Sequence, residues 1–236
     1  MTETNVFEYD KILVISPHPY DIDLWASGTL RSFVASGKIV HTVICSDGSK
    51  TSRNAVLQGS NLKDLRKTEQ INASNILGIQ SVTFLDLVDG ELEDNDQFRK
   101  LIVREIRKDK PDLVITSEPY RKFLPWHRDN RITGQVTLDA VYPYGRDHLH
   151  YQDLWENESL EPHNTRAIWF WGTENPNVTV NTEKFIDHKI EAMLCHETQI
   201  ADQSKEELTT KLKSRAGNAS SGSTLTEPFR EVTFRV

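Results

Sequence analysis

The stretch Ile12-Leu13-Val14-Ile15-Ser16-Pro17-His18-Pro19-Tyr20-Asp21-Ile22-Asp23 decides the fold. Four apolar residues, three of them β-branched, are too few for a helix, and Ser16-Pro17 closes them. They read as a strand buried on both faces of a parallel sheet. From Asp21 to Ser36, Leu24, Leu30, Phe33 and Val34 fall near helical spacing, and Gly37 is placed to stop the helix.

The same strand, loop and helix order repeats outward from this unit. Ile39 to Cys45 predicts a second strand, followed by the turn Ser46-Asp47-Gly48-Ser49 and a polar loop reaching about Ser60. Leu62, Leu65, Ile71, Ile76 and Leu77 share one helical face ending at Gly78, and Val82 to Leu87 is the third strand. Asp94 to Asp96 offers an N-cap for a helix through Phe98, Leu101, Ile102 and Ile106. Pro111 ends it before the fourth strand, Leu113-Val114-Ile115.

Four alternations imply an α/β, Rossmann-like fold: a mostly parallel sheet with helices on both faces. Later signals are sparser: a strand at Ala167 to Trp171, a helix at Lys184 to His196, a flexible loop at Asn218 to Ser223 and a terminal strand at Glu227 to Val236. No repeat or composition shift divides residues 1–236, so one domain is expected.

Of the 236 residues, 37% are hydrophobic and 27% charged, which excludes a disordered or fibrous chain. With 28 basic and 35 acidic residues the net charge is −7, and no run of five like charges occurs, so nucleic-acid binding is disfavoured. Cys45 and Cys195 both lie in apolar segments and build neither a disulfide framework nor a CxxC zinc pattern. They are expected to be buried, reduced thiols. No apolar run is long enough to span a bilayer, and Met1 to Asp10 is acidic and polar, unlike a signal peptide. The expected location is the cytoplasm.

Parallel sheets bind ligands beyond the carboxyl ends of their strands, which directs attention to two polar loops. His18 and Asp21 follow the first strand, and His127 and Asp129 follow the fourth. Imidazole and carboxylate are ordinary zinc ligands. A single His-x-Asp is more often a surface turn with an N-cap Asp; two such clusters at two strand ends favour one cleft.

The pairing of His18-Pro19-Tyr20-Asp21 with His127-Arg128-Asp129-Asn130 resembles the LmbE or PIG-L family of zinc-dependent N-deacetylases, which typically carry His-Pro-Asp-Asp and later His-x-Asp-His. Further agreement runs along the chain: Leu65-Arg66-Lys67-Thr68-Glu69 before Ile76-Leu77-Gly78, Val82 to Leu85 before Asp89-Gly90, and Asp139 to Pro143. Trp171-Gly172-Thr173-Glu174, Ile186-Asp187 with Lys189, His196 to Gln199, and Glu227-Pro228-Phe229-Arg230 extend it. The resemblance implies zinc held by His18, Asp21 and position 130, with His127 assisting the tetrahedral intermediate or leaving amine and Asp129 orienting it. Position 20 would supply the general base, and Arg66 would help to hold the substrate, an N-acetylated amino sugar. Family members are often oligomers, so a homo-oligomer is expected.

Two of these positions depart from the pattern. Tyr20 replaces the base, and a phenol with a reference pKa of about 10 is a proton donor at neutral pH. Asn130 replaces the third ligand, and a neutral amide is a poor zinc donor. One reading retains hydrolysis, with Asn130 as a weak ligand or replaced by a nearby His such as His148 or His150, and another carboxylate such as Asp23 or Asp47 as base. A metal-free reaction with Tyr20 as general acid is a further alternative. Loss of both groups together favours a ligand-binding or scaffold protein.

Bland roles are expected elsewhere. Asp23 suits a helix N-terminus. Trp25, where the family has a small residue, either packs or crowds the cleft. His196 and Gln199 line the cleft or cap a helix; His188 and His163 are surface residues; His41 is packed. Trp126, Tyr142, Tyr144, Trp155, Trp169 and Trp171 are core by default, a sugar platform or subunit contact otherwise, and Tyr142 to Trp155 is the loop expected to cover the cleft or reach a neighbour.

Overall fold

Alternation along each central strand assigns its side chains to one of two cores. In the computed structural model, which describes residues 2–3, 8–50, 60–200, 204–217 and 225–234, Ile12 and Val14 pack with Phe33, Trp169 and Trp171 on one face of the sheet. Leu13 and Ile15 pack with Phe98, Ile102 and Phe170 on the other. All of Leu113–Ser117 and of Ala167–Trp171 is buried, as strands covered on both faces require.

Among the described residues eight strands form one sheet: β1 (Thr2–Glu3), β2 (Lys11–Ser16), β3 (Ile39–Ser46), β4 (Ser81–Leu87), β5 (Leu113–Ser117), β6 (Ala167–Trp171), β7 (Val178–Asn181) and β8 (Thr226–Thr233). Their order is β1-β7-β8-β6-β5-β2-β3-β4. The run from β4 to β6 is parallel throughout, whereas β8 pairs antiparallel with β6 and β7 and makes the sheet mixed. Helices α1 (Asp21–Trp25), α2 (Ser27–Ala35), α3 (Ser60–Leu77), α4 (Asp96–Asp109), α5 (Arg128–Asp139), α6 (Gln152–Glu156), α7 (Ile186–Leu194), α8 (Glu197–Ile200) and α9 (Lys205–Gly217) complete the fold. The α4 N-terminus is capped by Asn95, whose side chain accepts from Phe98 N at 2.9 Å.

The single helix expected over Asp21 to Ser36 is two. Ala26, at φ −135°, ends α1, and α2 starts afresh because the Glu227 carboxylate, arriving from β8, accepts from Gly28 N (3.1 Å) and Thr29 N (2.7 Å). The helix expected from Lys184 is α7, entered through a 3-10 turn at Glu183–Phe185. Cys45 is buried, but Cys195 is only partly so. The loop expected at Asn218 to Ser223 lies outside the described residues. Among the described residues no helix is long and apolar enough to cross a membrane.

The segment Tyr142 to Trp155 does not cover the carboxyl end of the sheet. Arg107, fully buried on α4, donates to the carbonyls of Tyr144, Gly145, Asp147, His150 and Tyr151. Tyr142 stacks on Phe234, whose amide bonds Arg166 O just before β6, at the amino end. One guanidinium therefore draws this loop to the opposite end of the sheet.

Candidate functional site at the sheet switch point

The chain runs from β2 outward to β3 and β4, then returns to place β5 on the other side of β2. The loops after β2 and β5 diverge there and leave a crevice between them. His18 enters it from the β2 loop and His127, Asp129 and Asn130 from the start of α5, so both sequence clusters meet: the His18 and His127 rings lie 4.8 Å apart, edge to face. Asp129 and Asn130 are buried, while His127, the N-cap of α5, is exposed and its Nδ1 accepts from Asp129 N at 3.2 Å.

His18 is surrounded by carboxylates. Nδ1 lies 2.9 Å from Asp21 Oδ2, and Nε2 lies 3.2 Å from Asp89 Oδ1 and 3.4 Å from Asp129 Oδ2. Burial opposes a charge on the ring, but Asp129, Asp21 and Asp89 together overcome it and hold the imidazole pKa well above its ordinary value. Asp89, in the turn after β4, was not among the residues singled out in the sequence. Gly90 N donates to Asp129 Oδ2 (2.7 Å) and Asp89 N to Asp47 Oδ1 (3.2 Å), which tie the β3, β4 and β5 loops together.

Tyr20 stands in the left-handed backbone region at φ 83°, costly for a side chain of this size. Gln70 Oε1 accepts from its amide at 2.9 Å, and Gln70 Nε2 donates to Asp23 Oδ2 at 3.0 Å. Its ring packs on the cluster of Met193, Ile200 and Leu208 and meets His196 edge-on at 5.2 Å. Asp23 and His196 are thus neither a plain helix-dipole residue nor a cap, but a buried pair beneath Tyr20.

Arg66 is 1% exposed. Nη1 donates to Gly48 O at 2.5 Å, and the Gln199 amide, with its oxygen inward, accepts from Nη2 and Nη1 at 2.6 and 2.9 Å. Burial lowers its pKa, against the pull of Asp89, Glu69, Asp21 and Asp47. The guanidinium therefore braces the β3 loop beside the crevice.

The outer wall is aromatic. Trp126 donates through Nε1 to Glu118 O (2.8 Å), meets Trp25 at 5.6 Å and lies under the Arg121 guanidinium at 4.2 Å. Glu174 accepts from the amides of Lys122, Phe123 and Leu124, and these bonds, led by that of Lys122, keep its carboxyl below the usual range. The loop is fixed while Tyr120 and Phe123 stand 64% and 79% exposed. His148 pairs with Glu161 and Trp155, and His150 with Tyr144, so neither joins the site.

The residues at the family's zinc positions converge but do not compose a zinc set. Asp21 Oδ2 faces His18 Nδ1 at 2.9 Å and Asn130 Nδ2 at 3.4 Å, so the third corner is an amide N–H donating to the carboxylate. An amide nitrogen is no metal ligand, and turning the amide over offers only a neutral oxygen. A different grouping does bring zinc-type donors together: one atom each from His18, His127 and Asp129, all within 4.8 Å of one another.

Comparison with known proteins identifies the family and the fold. Residues 13–141 match the family model "PIG-L: GlcNAc-PI de-N-acetylase". The chain is 32% identical over 194 residues to the diacetylchitobiose deacetylase of Thermococcus kodakarensis, covering 81% of this chain and 71% of that protein. Its structure is similar to N,N'-diacetylchitobiose deacetylase from Pyrococcus horikoshii at TM-score 0.87 and 27% identity, over 96% and 85% of the two chains. The 4-carboxy-2-hydroxymuconate hydratase GalB from Pseudomonas putida shares the fold at TM-score 0.77 and 20% identity, over 96% and 98%.

Proposed function

This chain belongs to the PIG-L, GlcNAc-PI de-N-acetylase, family, and from that premise we propose that it binds an N-acetylated amino sugar in the crevice without hydrolysing the amide by the family's zinc-water route. One observation carries the reading: no carboxylate occupies position 20, whose ring packs on Met193, Ile200 and Leu208, and an amide occupies position 130. Without a ligand the metal is lost, and without a base its water is not deprotonated.

Recognition is retained in this account. A pyranose presents apolar C–H faces and a rim of hydroxyls. The Trp126 wall suits the first, and the Asp21 carboxylate, 18% exposed at its side chain, suits the second. His127, exposed beside them, supplies a donor or acceptor for the acetamido group. Diacetylchitobiose, the substrate named for the Thermococcus relative, is the first ligand to try.

Retained hydrolysis with a substitute base is the competing reading, and hydrogen bonding counts against it. Asp47 Oδ1 takes two backbone N–H groups, from Ser49 and Asp89, and Asp23 Oδ2 takes Gln70 and His196. Calorimetric titration with N,N'-diacetylchitobiose, with free acetate assayed in the same cell, separates the two. Saturable binding with no acetate is expected; acetate accumulating with protein concentration, or no binding at all, refutes the proposal.

A further inference from the structure

We propose that the amino sugar held in the crevice carries an apolar, uncharged aglycone such as an alkyl chain, and that a separate cavity behind α1 receives it; the inference rests on the sugar-binding reading above. The cavity has a volume of about 320 Å³, the size of a small-molecule pocket. Leu24 and Trp25 of α1, Ile186 of α7, Leu212 of α9, and Leu225 and Pro228 at the start of β8 line it.

The charges in its wall are already neutralised. Lys189 and Glu227 also line it, and Lys189 Nζ donates to Glu227 Oε1 at 2.5 Å and to Leu24 O at 2.8 Å, while the Glu227 carboxylate accepts from the amides of Gly28 and Thr29. An ionic ligand would find no unpaired counter-charge there. An apolar one would take its own surface and that of the lining side chains out of water. In sequence, the stretch Asn218 to Thr224 between α9 and β8 carries Ala219 as its one apolar side chain, so this connection has no large apolar group of its own to fill such a space.

Continuity with the crevice selects the occupant. Helix α1 begins at Asp21, in the crevice, and ends at Trp25, in the cavity wall, roughly 6 Å further along its axis. The Trp25 indole in turn meets Trp126, the outer wall of the crevice, at 5.6 Å. A chain attached to a sugar that bonds Asp21 therefore reaches the cavity within a few methylenes. With the acetamido group assigned to His127 on α5, the substituent that enters from the α1 side is the aglycone.

The test is calorimetric titration of the full chain with the methyl, butyl and hexyl glycosides of N-acetylglucosamine. Affinity is expected to rise about fourfold for each methylene buried. Leu212→Trp and Ile186→Phe, which fill the cavity, should flatten that rise and bind the methyl glycoside as the parent does. The two positions lie on different helices, so if one variant misfolds the other still decides. A hexyl glycoside bound no more tightly than the methyl one overturns the aglycone site and leaves the sugar-binding reading standing. A gain with chain length that both variants keep places the chain elsewhere and also overturns it. Binding of none of the three glycosides overturns both readings.

Discussion

Asp23 and His196 form a buried pair, Oδ2 to Nε2 2.8 Å, with both side chains 0% exposed. They come from α1 and from the turn between α7 and α8, so the pair joins the first loop of the site to the helical cap that receives the Tyr20 ring. Gln70 extends it to the Tyr20 amide, which is how a tyrosine is kept at a positive φ.

Removing His196 leaves the buried Asp23 with Gln70 in place of its paired imidazole, and breaking a buried pair in this way typically costs about 3–5 kcal/mol. His196→Ala should therefore lower unfolding free energy by that order in a denaturant titration. A loss below about 1 kcal/mol would show that the pair does not support the Tyr20 loop.

Arg107 carries a structural load remote from the crevice. Its guanidinium satisfies five loop carbonyls, and burial pulls its pKa down. Arg107→Met should destabilise the protein by about 3 kcal/mol or more, because the carbonyls lose their donors. Amino-sugar affinity in the folded fraction should not change; a matching loss of affinity would place the Tyr142 to Trp155 segment at the crevice after all.

Gly172, at φ +70°, leaves no room for a side chain: a Cβ there would lie 2.6 Å from Trp126 Cη2. Gly172→Ala should push the indole off its wall and weaken diacetylchitobiose binding by about tenfold, with a stability cost of about 1–3 kcal/mol. Unaltered affinity would remove Trp126 from the binding surface.

The central α/β units were legible because strands buried on both faces are continuous apolar runs and amphipathic helices repeat on one face. Ile12 to Ile15 and Leu62 to Leu77 show this plainly. The α1–α2 break was hidden because its cause, Glu227, lies about two hundred residues away in sequence. Asp89 was hidden for a like reason: an Asp-Gly turn looks ordinary until the sheet brings it 3.2 Å from His18. The convergence of His18 with His127 was foreseeable because the two loops follow strands that are neighbours in the sheet. The direction of the Tyr20 ring was not, since it follows from packing against α7, α8 and α9.

His18 gives a pH dependence of definite sign. Its pKa is raised in the folded state, so metal-free protein gains stability from the imidazolium below the unfolded value of about 6.5 and loses it as pH rises through the folded pKa. In chelator, unfolding free energy should decline above neutral pH, and His18→Gln should flatten that decline. NMR titration of the ring should find a midpoint raised above the free imidazole's; a midpoint at or below about 6.5 would contradict the carboxylate cage.

The direct measurement is acetate release from N,N'-diacetylchitobiose in zinc-replete buffer by the unaltered chain and by a variant carrying both Tyr20→Asp and Asn130→His. The account predicts a silent parent and a double variant that binds zinc at the family position and releases acetate. A parent that turns over at a rate comparable to the double variant would contradict it.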